Sequence, residues 1–235
     1  MATALAKENY LLHKLHSLSG VVPVGFYMVQ HLTLNTFSLG GPKYFDGVLH
    51  FFESMPKHIL LALEIGAIWI PLAFHAIYGF FIARRGVPNL SNAAYKYREN
   101  YYYTLQRVSG LFLLLFLAYH WISTTAVKMA TNSIAHIEYA AWAPKLLANG
   151  GIVLLVYILG TLAASYHLAY GIWMFCIRWG ITVSETSQMR MQKFSTAFFV
   201  VLCLLSWSAL GGFLMYKTAP KEEVRTVYVH PSQIV

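Results

Sequence analysis

The sequence predicts an all-α integral membrane protein, a bundle of five transmembrane helices. Only 11% of its 235 residues are charged and 57% are hydrophobic, whereas a soluble domain carries about 25% charged residues. Five stretches that are almost free of charge are each long enough to span about 30 Å of hydrocarbon, which takes roughly 20 helical residues. Helices are preferred for these spans because lipid cannot satisfy an open backbone.

The five stretches are called helices I to V in chain order. Helix II contains one carboxylate, Glu64, and helices I, III, IV and V contain no formal charge. No small-residue cleavage pattern follows helix I, so it is predicted to be a retained span and not a signal peptide. The five stretches together form a predicted membrane domain at residues 1–217, followed by a polar C-terminal tail at residues 218–235. The stretches are residues 15–42, 58–84, 108–127, 146–177 and 194–216.

Lysine and arginine predict the orientation of the bundle. Ten of them precede helix I or lie between helices II and III or IV and V, and four lie in the other two loops. The positive-inside rule therefore places the N-terminus on the cytoplasmic side and the C-terminus outside. Three basic residues in the tail weaken this difference without reversing it. Nucleic-acid binding is not predicted, because the net charge of +8 is spread over short clusters between apolar stretches.

Four of the ten histidines lie deep within apolar stretches, one on each of helices I to IV. Ionisable residues at this depth are costly and usually functional, although a single one could simply hydrogen-bond a neighbouring helix. Each lies nearer the C-terminal end of its helix. Because helices I and III run outward while II and IV run inward, the histidines form two pairs at different depths. The outer pair is His31 and His120, and the inner pair is His75 and His167.

Two histidines at one depth on neighbouring helices can ligate a bis-histidine haem. Gly79 and Gly171 each follow an inner-pair histidine by four residues, in HAIYG and HLAYG, so they share its helix face and leave room for a flat macrocycle. Close helix packing is the alternative role for these glycines. Zinc would need three or four ligands at one depth, often with cysteine, but Cys176 and Cys203 both lie inside apolar stretches. The sequence therefore predicts two haems between helices I to IV, separated vertically by roughly 12–18 Å.

At these residues the sequence resembles the single-chain, five-helix, di-haem cytochrome b anchor of succinate:quinone oxidoreductases (succinate dehydrogenase/fumarate reductase). The matching stretches include LHSLSGVVPVGFYMVQHL, LHFFESMP, LEIGAIWIPLAFHAIYG, LQRVSG and GIWMFCIRWGITV, spread over residues 11–190. The resemblance implies haem b ligands at both histidine pairs and a role for His16 at the inner end of helix I. His50 matches a recurring family histidine without an assigned role. The remaining histidines match no ligand position and are expected at the surface or interface: His13, His58, His136 and His230.

The resemblance also implies a function in a bacterial cytoplasmic membrane. A flavoprotein, which oxidises succinate, and an iron–sulfur protein would bind the cytoplasmic face. This chain would accept electrons at the inner haem, pass them to the outer haem and reduce a membrane quinone, menaquinone in this type. A bis-histidine haem has no open coordination site, so it would transfer single electrons without activating oxygen.

Several further residues are candidates for binding the haems or the quinone. Anionic haem propionates need partners, and the candidates at the inner end are His16, Ser17, Arg107 and Arg178. The two arginines could instead be positive-inside residues or contacts to a partner. Glu64, in the outer third of helix II, could exchange protons with quinone, or could simply reach water near the headgroups.

Two alternative functions stay open at this stage. The chain could be the di-haem anchor of a hydrogenase or formate dehydrogenase, or a haem-free transporter or scaffold.

Overall fold

The computed structural model describes residues 2–86 and 97–215, with side chains described from Tyr10 onward. All regular secondary structure in these ranges is helical. Lys96, His230 and the predicted tail lie outside the described residues. The α-helices, in chain order, are α1 Ala2–Ser19, α2 Phe26–Asn35, α3 Pro42–Ser54, α4 Lys57–Leu63, α5 Ile70–Arg85, α6 Arg98–Trp121, α7 Val127–Thr131, α8 Tyr139–Arg178 and α9 Glu185–Met215.

In the described ranges, three π-helical segments join successive α-helices without a break. They are Gly20–Gly25, Glu64–Trp69 and Ile122–Ala126. Helices I, II and III are therefore continuous over residues 2–35, 57–85 and 98–131. Pro23 lies inside the first π-helix, where its missing amide hydrogen removes one backbone donor. Such segments are rare and often lie at functional sites.

Among the described residues, four helices are long and apolar enough to cross a membrane: Lys57–Arg85, Arg98–Thr131, Tyr139–Arg178 and Glu185–Met215. The first helix is not one of them, since Gln30, His31 and Asn35 make its apolar part more polar than the others. The all-helical class is confirmed for the described residues, and the protein is a multi-pass membrane protein. The fifth span remains a prediction.

Helices I to IV surround a common interior. The α1 helix and the first π-helix pack against α5, α5 packs against α6, α6 against α8, and α8 against the first π-helix. The α9 helix lies outside this ring, against α8, α2 and the short 3-10 helix Thr36–Gly40. It approaches the 3-10 helix closely at Gly212, where a Cβ atom would lie 2.4 Å from the Ser38 hydroxyl oxygen.

Two apolar clusters among the described residues pack α9 against the helices of the ring. One joins α6, α8 and α9 to α3 at the predicted outer end, and it includes Phe116, Trp142, Leu146 and Phe213. The other joins α2, α8 and α9 through Leu32, Leu168 and Leu202. Helix II contributes no buried side chain among the described residues, as expected of a helix that faces lipid over much of its surface.

The α8 helix contains a break that the sequence interpretation missed. Ala148 is extended (ψ 150°), and the next three residues, Asn149, Gly150 and Gly151, have positive φ values of 53°, 70° and 89°. Glycine adopts this left-handed region without steric cost, and asparagine tolerates it better than most residues. The predicted span at 146–177 is therefore not one uninterrupted helix. Residues 139–147 form a separate helical segment before the break, called the outer segment below.

Candidate functional site

The outer pair brings α2 and α6 together. The ring centres of His31 and His120 are 5.9 Å apart, with the ring planes at 75°. Tyr27 stacks on His31 and Phe116 stacks on His120. The Nδ1 atom of His120 lies 3.2 Å from the hydroxyl of Tyr157. With a proton on Nδ1, His120 donates to that oxygen and leaves Nε2 free to ligate a metal.

The inner pair brings α5 and α8 together. The ring centres of His75 and His167 are 6.0 Å apart, with the planes at 87°. His75 donates from Nδ1 to the backbone carbonyl oxygen of His16 at 2.9 Å. His167 donates from Nδ1 to the carbonyl oxygen of Gln106 at 3.1 Å. Both bonds select the tautomer with an unprotonated Nε2, and such outer hydrogen bonds typically orient and strengthen histidine ligands.

The spacing within each pair matches that of two imidazoles on one metal. A metal–imidazole bond is about 2.0–2.1 Å long, so two opposed imidazoles have ring centres roughly 6 Å apart. Within residues 2–86 and 97–215, no group of three or more histidine, cysteine or carboxylate side chains could hold a metal ion. The pairs fit a cofactor that needs only two protein ligands per iron because it supplies the others itself.

The two pairs lie at different levels of the bundle. Ser109 of α6 contacts inner-pair His167, whereas His120 of the same helix belongs to the outer pair. On α8, Tyr157 contacts His120, and His167 follows ten residues later. At 1.5 Å per residue, both helices place the levels roughly 15 Å apart. The inner and outer labels follow the predicted orientation.

Glycines line the inner level, but not only the two that were predicted. A Cβ atom at Gly79 would lie 2.9 Å from the ring of His16, and one at Gly171 would lie 3.3 Å from Nε2 of Gln106. Gly20 and Gly110 lie closer to the inner pair, since a Cβ there would lie 2.2 Å from the His75 ring and 2.8 Å from the His167 ring. Their signal in the sequence was their position, about three helical turns before the outer-pair histidine of the same helix.

His16 lies at the inner pair itself. Its ring stacks on that of His75, with centres 4.1 Å apart and planes at 14°. Its Nδ1 atom is buried and has no hydrogen-bond partner within the described part of the chain. Neighbouring Ser17 accepts a hydrogen bond from Nε1 of Trp179 at 3.1 Å and donates to the carbonyl oxygen of Lys14. A buried orphan nitrogen in this place fits a polar cofactor group.

The inner end of the ring is rich in positive charge. The guanidinium carbon of Arg107 lies 3.3 Å from the ring centre of Tyr103. The Nε atom of Arg107 is buried without a partner among the described residues. Arg178 lines a small cavity with Tyr10, His13 and Lys14. Burial lowers the pKa of His13, and the charges of Arg178 and Arg85 lower it further.

No carboxylate neutralises this end of the ring within the described ranges. The ion pair found among the described residues joins Lys128 to Glu53, and both lie far along the chain from Arg107 and Arg178. The donors at the inner end are therefore available to an anionic group.

Glu64 is half-buried at the start of the second π-helix. Trp69, at the end of the same π-helix, contacts Trp121, the residue after His120. The π-helix that begins at Glu64 therefore contacts the helix of His120 through Trp69.

Among the described histidines other than His16 and the two pairs, two are exposed and two are half-buried. His13, expected at the surface or interface, is half-buried, and its ring contacts that of Tyr78, which also contacts the ring of His16. His50 and His58 are exposed.

His136, expected at the surface or interface, is half-buried, and its Nε2 lies 2.7 Å from the carbonyl oxygen of Thr124, four residues after His120. Nothing in the local sequence of His136 indicated this contact.

Both a protein family and a single known protein are similar to this chain. The family described as "Succinate dehydrogenase/Fumarate reductase transmembrane subunit" matches residues 88–207. The succinate dehydrogenase cytochrome b558 subunit of Bacillus subtilis (strain 168) is 35% identical over 208 residues, which cover 88% of this chain and 98% of that protein.

Proposed function

Because this chain belongs to the family of succinate dehydrogenase/fumarate reductase transmembrane subunits, we propose that it anchors a succinate:quinone oxidoreductase in the membrane and transfers electrons to quinone through two haems b. The proposal rests on the two histidine pairs. Each has ring centres about 6 Å apart, and the two lie at different levels between helices I to IV. Family membership favours this function over the hydrogenase, formate dehydrogenase and haem-free alternatives.

His31 and His120 would ligate the outer iron, and His75 and His167 the inner iron. A haem with two axial imidazoles supplies one-electron transfer and has no open position for oxygen. The chain's contribution is to fix the ligands. The carbonyl oxygens of His16 and Gln106 hold the inner imidazoles by their Nδ1 protons, and the hydroxyl of Tyr157 holds that of His120.

The residues at the inner end would bind the propionates. His16, Ser17, Arg107 and Arg178 offer donors and positive charge, and burial strengthens such charge-assisted hydrogen bonds. The unpartnered Nε of Arg107 and Nδ1 of His16 support this assignment. The missing side chains at Gly20, Gly79 and Gly110 let the histidine rings approach the helix backbone closely, which would leave more of the interior to the macrocycle.

The iron–sulfur and flavoprotein partners would bind the cytoplasmic face, next to the basic inner end. The inner level would then lie nearest the electron donor. Quinone, in this type menaquinone, would react near the outer level, and Glu64 would exchange protons with it. The printed name of the Bacillus subtilis relative, a cytochrome b558 subunit of succinate dehydrogenase, supports the haem b and the complex.

The decisive experiment is purification of the complex in detergent through a tag on this chain. We expect a pyridine haemochrome assay to give two haems b per chain, and succinate dehydrogenase activity to copurify. One haem per chain would refute the double site. Two haems without succinate dehydrogenase activity would refute the assignment to this complex.

A further inference from the structure

Two side chains hold the backbone directly after His120. The third π-helix, Ile122–Ala126, begins two residues after this histidine, and the wider turn alters the backbone hydrogen bonding there. Lys145 donates from Nζ to the carbonyl oxygen of Ser123 at 3.2 Å. His136 donates from Nε2 to that of Thr124 at 2.7 Å. Both bonds reach the π-helix from outside its own helix.

The ammonium of Lys145 has no neutralising partner in the part of the chain that the structure describes. It also donates to the carbonyl oxygen of His136 at 3.1 Å and lies 4.5 Å from the ring centre of Trp142. Carbonyl dipoles and an aromatic face stabilise a cation but leave its full charge in place. Lys128, by contrast, lies in the neighbouring α7 and is paired with Glu53.

The outer segment holds this charge against the outer pair. Trp142 is 6% exposed, and its ring contacts that of Tyr157, whose hydroxyl binds His120. Lys145 itself reaches the helix of His120, because its Nζ donates to the carbonyl oxygen of Ser123, three residues after that histidine. The break at Asn149 and the two glycines after it allow the outer segment to be set apart from the span that carries Tyr157.

We propose that Lys145, fixed by His136 and Trp142, is the positive charge of the outer haem site, where it positions the turn after His120 and raises the reduction potential of that haem above the value it would otherwise have. The inference rests on the proposed function, since it presumes a haem at the outer pair. A fixed cation in a medium of low dielectric constant stabilises the reduced iron, which carries one positive charge fewer. Lys145 is a positioning residue and is not proposed as a ligand.

The test is a redox titration of the purified complex, with each haem followed by its own absorbance change. Lys145→Met removes the charge and keeps most of the side-chain volume, and Lys145→Arg keeps the charge. At a fixed ambient potential, we expect Lys145→Met to lower the reduced-to-oxidised ratio of the outer haem at least threefold, about 28 mV at 59 mV per tenfold change for one electron. The inner haem should change by much less, and Lys145→Arg should resemble the wild type.

Lys128→Met is the matched control, because it removes a neighbouring charge that Glu53 already neutralises. An equal shift from Lys128→Met and Lys145→Met would overturn the inference, as would an unchanged outer potential in Lys145→Met. Loss of only the outer haem from Lys145→Met, with retention in Lys145→Arg, would support it, whereas loss of both haems from both variants would overturn it. A wild-type complex without two haems would instead refute the proposed function, and the inference with it.

His136 is tested by its spectroscopic effect. His136→Gln can still donate to the Thr124 carbonyl oxygen, whereas His136→Ala cannot. We expect His136→Ala, but not His136→Gln, to shift the low-spin electron paramagnetic resonance signal of the outer haem. An unchanged signal in both variants would refute the positioning role of His136.

Discussion

His75 donates a hydrogen bond from Nδ1 to the backbone carbonyl oxygen of His16 at 2.9 Å, while the ring of His16 stacks on its own ring. A residue at the start of the apolar part of helix I therefore orients an imidazole of helix II. The carbonyl contact does not depend on the side chain at position 16, but the stacking does. His16 can thus influence the orientation of inner-pair His75.

The first prediction concerns the ligands. We expect alanine in place of His75 or His167 to remove the inner haem and leave the outer one, and alanine in place of His31 or His120 to do the reverse. The reason is that each change leaves one axial position without its imidazole. The measurement is haem content per chain together with the spectrum of the remaining haem.

Exposed His50 provides a control for these four variants. His50→Ala should retain both haems. Loss of the same haem from His31→Ala and His75→Ala would show that the pairing is wrong.

The second prediction concerns Gly20 and Gly110. A Cβ atom at either position would lie within 3 Å of an inner-pair ring, so alanine must displace that imidazole. We expect Gly20→Ala and Gly110→Ala to weaken or abolish the inner haem and to spare the outer one, as read from haem content. Gly211→Ala is the control, because a Cβ atom there meets no atom within 4 Å. Retention of a normal inner haem in both variants would contradict the inferred close approach.

These glycines show where sequence reasoning reached its limit. Long stretches without charge predicted the helices, and the direction of each helix predicted which histidines share a level. The family resemblance is confirmed, and the structure brings together the predicted pairs, although their ligation of haem remains a prediction. Gly20 and Gly110 lie about three helical turns before an outer-pair histidine, and that spacing was a signal. Their contacts with the inner-pair rings, and the contact between His136 and Thr124, depend on how helices and loops meet in space.

The π-helices escaped the sequence interpretation for a related reason. Hydrophobic periodicity identifies a helix but does not register one extra residue in a turn. Glu64 begins such a segment, so its direction relative to Tyr27 could not be read from the helix period. The break after Ala148 did have a local signal, the successive residues Asn149, Gly150 and Gly151. That signal was overlooked because residues 146–177 contain no charge and were interpreted as one span.

The third prediction concerns the propionate contacts. Removal of a hydrogen bond to a buried charged group costs about 1.5–3 kcal/mol, so we expect Arg107→Met to lower the affinity for the inner haem roughly tenfold or more and to lower its midpoint potential. Arg107→Lys should preserve the charge but not the forked geometry, and should have a smaller effect. Exposed Arg190 on the same predicted face is the control. Equal effects of Arg190→Met and Arg107→Met would assign both to the general surface potential.

The fourth prediction concerns Glu64. If its carboxylate exchanges protons with quinone, Glu64→Gln should reduce quinone reductase activity at least tenfold while both haems and their spectra are retained. Succinate oxidation with an artificial acceptor at the flavoprotein should continue at the wild-type rate, because electrons then leave before reaching this chain. Glu53→Gln is the control, since Glu53 is also an outer-side carboxylate but is paired with Lys128. Full quinone activity in Glu64→Gln would leave Glu64 as a carboxylate that only reaches water.

The last prediction concerns the membrane potential. The inner and outer pairs lie roughly 15 Å apart by helix rise, about half of a hydrocarbon layer of about 30 Å. An electron that moves outward between these levels is driven by a potential that is positive outside. A full crossing gains about 2.3 kcal/mol per 100 mV, so this step gains roughly half of that. Such a gain would help succinate, a weak donor, to reduce a quinone of low potential such as menaquinone.

We therefore expect succinate:quinone activity in intact cells or sealed vesicles to fall when an uncoupler collapses the potential. Activity with an artificial acceptor that takes electrons at the flavoprotein should not change, because those electrons do not cross the membrane. Detergent-solubilised complex should be insensitive to the uncoupler, since it has no potential to lose. If quinone reduction in sealed vesicles proved equally insensitive, the quinone would have to react at the inner level or have a higher potential. In that case the two levels of histidines would need another explanation than transfer toward the positive side.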